Sequence, residues 1–225
     1  MTIAPTPSTP PSTRSDPAGA RSRNRRGEGG LLRQPILDAA LALLDETGDE
    51  QAVTLRAVAR RVGISAPSIY AHFADRQAIL LALVRDAFAD LGRALEAADA
   101  AAGPDPVRRL RATCTAYLDF ATGRPQRYRM LFGGLWNAGD AVHEGAITVS
   151  DASQLGHEVL AVLVGALTDC VAAGRSTSSD PAADAVAIWL ALHGLAHQRA
   201  LATAFPWPAD LEDRLVVPLA HLVAD

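Results

Sequence analysis

Residues 54–76 read TLRAVARRVGISAPSIYAHFADR, and the organisation of the chain is worked outward from this stretch. It parses as two short helices around a tight turn. Leu55, Val58 and Ala59 recur at helical spacing and give the first helix an apolar face, while the small Ala59 lets a second helix come close. Thr54 stands where a helix N-cap is wanted. Gly63 stands where the chain must turn sharply, a conformation glycine adopts without a Cβ penalty. Ile64 then plugs the core, Ser65 caps the next helix, and Pro67 is tolerated in its first turn. With Ile69 and Phe73 anchoring that helix, Ala66, Pro67, Ser68, Tyr70, Ala71 and His72 are left facing outward. Such a face suits the major groove of DNA, where the first residues of the second helix meet base edges.

Upstream, Ile36, Leu37, Ala40, Leu41, Leu43 and Leu44 recur at helical spacing, and Thr47-Gly48 supplies a stop. Downstream, Asp75 opens a long helix through Ile79, Leu83, Phe88, Leu91 and Leu95. After Gly103-Pro104 the pattern predicts helices near 106–122, 125–132, 151–173, 181–203 and 208–223. Residues 134–150 carry no assignable pattern, and no polar–apolar alternation is long enough for a sheet. The expectation is an all-α protein. It has a disordered basic Pro/Ser-rich tail over 1–30, a three-helix helix-turn-helix domain over 31–76 and a larger helical domain over 77–225. The tail holds Pro5, Pro7, Pro10, Pro11 and Pro17 and then Arg21, Arg23, Arg25 and Arg26, with too little apolar surface to offset its ordering entropy. That Arg cluster is either simply solvated or reaches along DNA.

At 225 residues, 49% hydrophobic and 20% charged, the composition is that of an ordinary globular chain. The net charge of -4 is unevenly spread: residues 1–76 hold ten Arg against eight acids, and residues 77–225 hold eleven against seventeen. A basic N-terminal segment is a weak pointer to nucleic acid. All 21 basic residues are Arg. Cys114 and Cys170 form no CxxC pair, no secretory signal is visible at the start, and apolar runs such as 159–165 and 185–192 are too short for a membrane span. A cytoplasmic protein with no membrane partner is therefore expected. No Ser-His-Asp, P-loop or GxGxxG context is present, so neither an enzyme nor a cofactor is expected. His193 and His197 have metal-ligand spacing, yet Gly-Leu-Ala lies between them without the Glu of HExxH, and no metal is expected.

The stretch 54–76 resembles the signature of the TetR family of bacterial regulators: an initial Thr, LRAVARRVG, Ile-Ser, then Ser-Ile-Tyr-x-His-Phe and Asp-Arg. The family usually has Lys where this chain has Arg76, so the cation is kept but in a form that can fork across two phosphate oxygens. Carried over by position, the resemblance implies that Thr54, Tyr70, His72 and Arg76 contact DNA phosphates, with Arg56 as a further backbone or groove contact. It implies that Ala66, Pro67 and Ser68 face the bases. Arg60 and Arg61 either touch DNA or solvate the first helix.

In the remainder, the clusters 125–133 (PQRYRMLFG) and 187–196 (AIWLALHGLA), with Phe205-Pro-Trp207-Pro, resemble TetR-family C-terminal domains that carry a Trp-x-x-x-His-Gly motif. Trp189 and His193 are i and i+4 on one helical face. Together with Phe88, Tyr117, Phe120, Tyr128, Phe132 and Trp136 they form either a packed core or the wall of an effector pocket with His193 as its polar handle. The resemblance further implies that the last two helices pair with their twins in a homodimer, through Val186, Leu190, Leu215, Val216, Leu219 and Leu222. The function it implies is a regulator, most simply a repressor, released from a pseudo-palindromic double-stranded DNA operator by a small apolar or aromatic effector. The alternatives are an activator, an effector-independent DNA binder, or a small-molecule binding module.

Overall fold

In the structure, a computed structural model describing residues 32–134 and 136–223, helix α1 (Arg33–Thr47) buries Ile36, Leu37, Ala39, Ala40 and Leu44. The tail expected over 1–30 lies outside the described residues. α1 ends at Gly48, whose φ of 64° is left-handed and whose N–H bonds back to the Leu44 carbonyl. A single 3-10 turn (Glu50–Ala52) leads into α2 (Leu55–Val62), where the Thr54 hydroxyl accepts from the Ala57 N–H at 3.1 Å. Gly63, at φ 79°, turns the chain into α3 (Ala66–Ile69). This helix is shorter than the pattern suggested: after Ile69 the chain continues as a turn, with the His72 and Phe73 N–H groups both bonded to the Ile69 carbonyl. The Ser65 hydroxyl makes no cap bond and lies 2.6 Å from the Ser68 hydroxyl.

Helix α4 (Arg76–Ala101), capped by the Asp75 carboxylate on the Ala78 N–H, serves both halves of the molecule. Ile79, Leu80, Leu83 and Val84 are buried with Ile36, Leu44, Val58, Ile69 and Phe73 in one core. Leu91 and Leu95 are buried in a second. The boundary expected at residue 76 thus falls at the start of α4, a helix whose first turns contribute to the core of the head and whose later turns contribute to the core of the body.

The second core is built by α5 (Pro106–Gly123), α6 (Pro125–Phe132), α9 (His157–Ala172), α10 (Pro181–Leu201) and α11 (Leu211–Leu219). Between α6 and α9 lie two short helices: α7 (Ala138–His143), in the stretch left unassigned from sequence, and α8 (Val149–Gln154), mostly within the helix expected over 151–173. The single helix expected over 151–173 is broken at Gly156, which adopts φ 77°. A Cβ there would come within 2.8 Å of the Phe88 ring, so packing as well as backbone conformation demands glycine. The stretch Val149–Ala172 is apolar and long enough by composition for a membrane span. The break leaves α9 with 16 residues, about 24 Å against a hydrocarbon core of about 30 Å. α11 also stops short of its expected end, with Pro218 in its last turn and Leu222 bridged to Ser176.

Gly156→Ala adds both a left-handed strain and a collision with Phe88. Urea denaturation of this variant is expected to show a loss of about 1–3 kcal/mol with helix content retained.

Candidate nucleic-acid interface and effector cavity

The α2–α3 unit presents one continuous outer face. Thr54, Arg56, Pro67, Ser68 and Ala71 are exposed, Tyr70 is 61% exposed, and Ala66 and His72 are half-buried. Beneath them Val58, Ala59, Ile69 and Phe73 are buried, which fixes the face on the core. Arg61 pairs with Glu46 through two bonds of 2.6 and 2.7 Å and so braces α2 against α1.

Arg76 is held differently from a free phosphate ligand. Its guanidinium bonds Glu50 at 2.8 Å and Gln51 at 3.2 Å, while its Nε is buried without a partner. Next to it lies a polar cavity of about 130 Å3 lined by Glu50, Gln77, Trp136, Asn137, Asp140 and Glu144. Trp136, expected among the pocket aromatics, instead packs on the N-terminal core, and its indole Nε1 is unpartnered at this joint. Neither Gln77 nor Glu50 carries a sequence signal for this position; α7 brings the joint together.

The remaining aromatics converge, with one exception. Phe132 sits at the centre, 4.8 Å from the His193 ring, 5.1 Å from Tyr128, 5.9 Å from Phe88, 6.1 Å from Trp189 and 6.4 Å from Tyr117. Edge and tilted geometries of this kind are favoured between aromatic quadrupoles. The Tyr128 hydroxyl lies 2.8 Å from His193 Nδ1, and the Tyr117 hydroxyl 3.4 Å from the same atom. Burial raises both tyrosine pKa values and lowers that of His193, so the Tyr128–His193 contact joins a neutral phenol and a neutral imidazole. Phe120 is buried but outside this cluster, under the Arg124 guanidinium at 5.4 Å. The rings close on each other: the void beside them, lined by Tyr117, Cys114, Val159 and Trp189, measures only about 10 Å3. Cys114 and Cys170 are buried too, with burial pushing Cys170 up to about 11.

A groove of about 450 Å3 opens between α4 and the α8–α9 break, a region the sequence pattern did not single out. Arg85, paired with Asp151 at 2.8 Å, lies on its rim, and Phe88, Gly92, Gly156 and Val159 line it. Val159 lines both the groove and the small void, and Phe88 belongs to both the groove and the ring cluster. Gly156 was the signal available for this place.

Of the expected interface residues, Val186 is at the limit of exposure and Leu190 is 55% exposed. Val216, at 1%, lies in the chain's own core, and Leu215, Leu219 and Leu222 pack against it, so α11 is largely spent within the chain. The freer apolar surface is on α10, where Leu190, Gly194 and Leu201 are exposed, and on α9, where Ala161, Gly165 and Ala172 are exposed. Among the described residues, no three His, Cys, Asp or Glu side chains come together to hold a metal ion.

Two family profiles match the chain. Residues 36–83 match "Bacterial regulatory proteins, tetR family", and residues 110–222 match "Tetracyclin repressor-like, C-terminal domain". Among curated proteins, the HTH-type transcriptional regulator BetI of Paraburkholderia phytofirmans is 37% identical over 89 residues, 40% of this chain and 45% of that protein. The match thus spans less than half the length of this relative. A protein of unknown function from Rhodococcus sp. RHA1 superimposes with a TM-score of 0.68 at 27% identity, over 92% of this chain and 95% of the other. FadR from Bacillus subtilis, in complex with stearoyl-CoA, shares the fold with a TM-score of 0.66 at 15% identity, over 85% and 99% of the two chains.

The lowered pKa of His193 has a stability consequence. Its imidazole takes up a proton more readily in the unfolded chain, so stability present above about pH 6.5 is lost as pH falls through the depressed value. Urea midpoints measured across this window are expected to fall toward acid pH, and His193→Gln to flatten that slope.

Proposed function

The chain belongs to the TetR family of bacterial regulators, matched over both its head and its helical body, and from that premise we propose that it is a homodimeric repressor released from its operator by a small apolar effector. The observation that carries this reading is the single helix α4, which begins at the DNA-facing head and runs through the core that holds the closed aromatic cluster. An effector entering from the groove between α4 and α9 meets Phe88 and Val159 first. Seating an apolar group among the rings then requires them to part, and the displacement is passed to the head through α4. The effector shifts the equilibrium only by the difference in its affinity for the two states. FadR from Bacillus subtilis, which shares the fold, is in complex with stearoyl-CoA, a ligand with a long apolar acyl chain.

The dimer uses α9 and α10, whose exposed small and apolar residues form a self-complementary surface. It presents two α3 segments to a pseudo-palindromic site. Thr54, Arg56, Tyr70, His72 and Arg76 contact phosphates, and Ala66, Pro67 and Ser68 face the bases. Arg76 reaches phosphate by exchanging or sharing its Glu50 partner, which makes the head's grip sensitive to the polar joint beside it. As a repressor acting on genomic DNA, it acts in the cytoplasm.

The experiment is a mobility shift against the DNA upstream of its own gene, at about 0.15 M salt with unrelated competitor, since low salt favours any Arg-rich chain. Specific binding of two protomers per site is expected. A folded dimer that selects no sequence, even from genomic fragments, contradicts the reading. Tyr70→Ala with Arg76→Ala is expected to weaken binding to all sequences and make the salt slope shallower by about two per dimer. Leu190→Glu is expected to sediment as a monomer and to lose operator binding.

A further inference from the structure

We infer that the protein recognises its operator mainly through thymine methyl groups, read by the apolar surface of Ala66, Pro67 and Ala71. This rests on the DNA-binding reading above and specifies what that face selects. The positions left facing outward between 65 and 72 are Ser65, Ala66, Pro67, Ser68, Tyr70, Ala71 and His72. Not one of them is Arg, Lys, Asn, Gln, Asp or Glu, the side chains that make bidentate or sign-specific bonds to base edges. Tyr70 and His72 are assigned to phosphates, which position the protein without reading sequence.

The hydrogen-bonding groups left are the hydroxyls of Ser65 and Ser68, 2.6 Å apart and bonded to one another. A hydroxyl serves a donor or an acceptor equally, so this pair separates the four base pairs poorly. Ala71 and Pro67 are exposed and Ala66 half-exposed, and they offer only carbon to the groove. The thymine C5-methyl is the apolar feature of the major-groove edge, and contact with it is how such a surface discriminates. The consequence is a half-site whose required positions are thymines, with weak discrimination between guanine and cytosine elsewhere.

The test uses the full-chain dimer and an operator obtained by selection, with deoxyuridine replacing thymine one position at a time. Loss of one contacted methyl is expected to weaken binding about threefold to tenfold, in line with the burial of one methylene-sized group. Replacing that thymine by 5-methylcytosine, which restores the methyl on a different base, is expected to recover part of the loss. With Ala71→Ser, an exposed change outside the buried core, one uracil position should lose its effect. Specific binding that is indifferent to uracil but falls with 7-deazaguanine would overturn the inference and transfer readout to Arg56. Absence of any sequence-specific binding would overturn the DNA-binding reading itself, and this one with it.

Discussion

Everything in the molecule depends on α4 being one uninterrupted helix shared by two cores. Its 26 residues span about 39 Å, with Ile79 to Val84 buried in the head and Leu91 and Leu95 buried in the body. Close-packed interiors do not deform continuously, so a helix locked into both moves as a unit or forces one core to repack. The first turns of α4 complete the core of the head and tie its position to the body. Arg76, the first residue of that helix, is bonded to Glu50, so even the ion pair at the head's edge responds to where α4 starts.

At the body end, the aromatic cluster around Phe132 is packed closed. The rings around Phe132 leave a void of only about 10 Å3, far below the several hundred cubic ångströms of a ligand pocket. For the effector site proposed above, binding and conformational change would be one event, since a ligand has no room there until the rings separate. The Tyr128–His193 bond is the polar element of this cluster, kept neutral by burial, and it costs free energy to break without a replacement partner. In the proposed function, an effector with one acceptor or donor beside an apolar body would offset that cost at His193.

Local chemistry was legible in the sequence and tertiary chemistry was not. The Thr54 cap, the left-handed Gly48 and Gly63, and the buried Ile69 and Phe73 follow from residue type and spacing, and they appear as expected. The break at Gly156 was missed because a glycine inside an apolar run reads as tolerated helix; only the Phe88 ring against it reveals the need for φ 77°. Val216 lies on an apolar face of the kind that marks interfaces, but periodicity does not say whether that face meets its own chain or a partner, and here it meets its own. Trp136 was grouped with the other aromatics by proximity in sequence, whereas the turn at Gly133 and Gly134 carries it to the other core. The capture of Arg76 by Glu50 depends on a 3-10 turn 26 residues upstream, which no local pattern encodes.

The most direct test of rigid coupling through α4 is hydrogen exchange of the full-chain dimer with and without operator DNA, because coupling between two sites is reciprocal and needs no known effector. Rigid coupling predicts that DNA binding alters protection not only in α2 and α3 but also along α4 beyond Leu91 and in the segments bearing Phe132 and His193. Changes confined to residues before Val84, with the body unaffected at full operator occupancy, would contradict it.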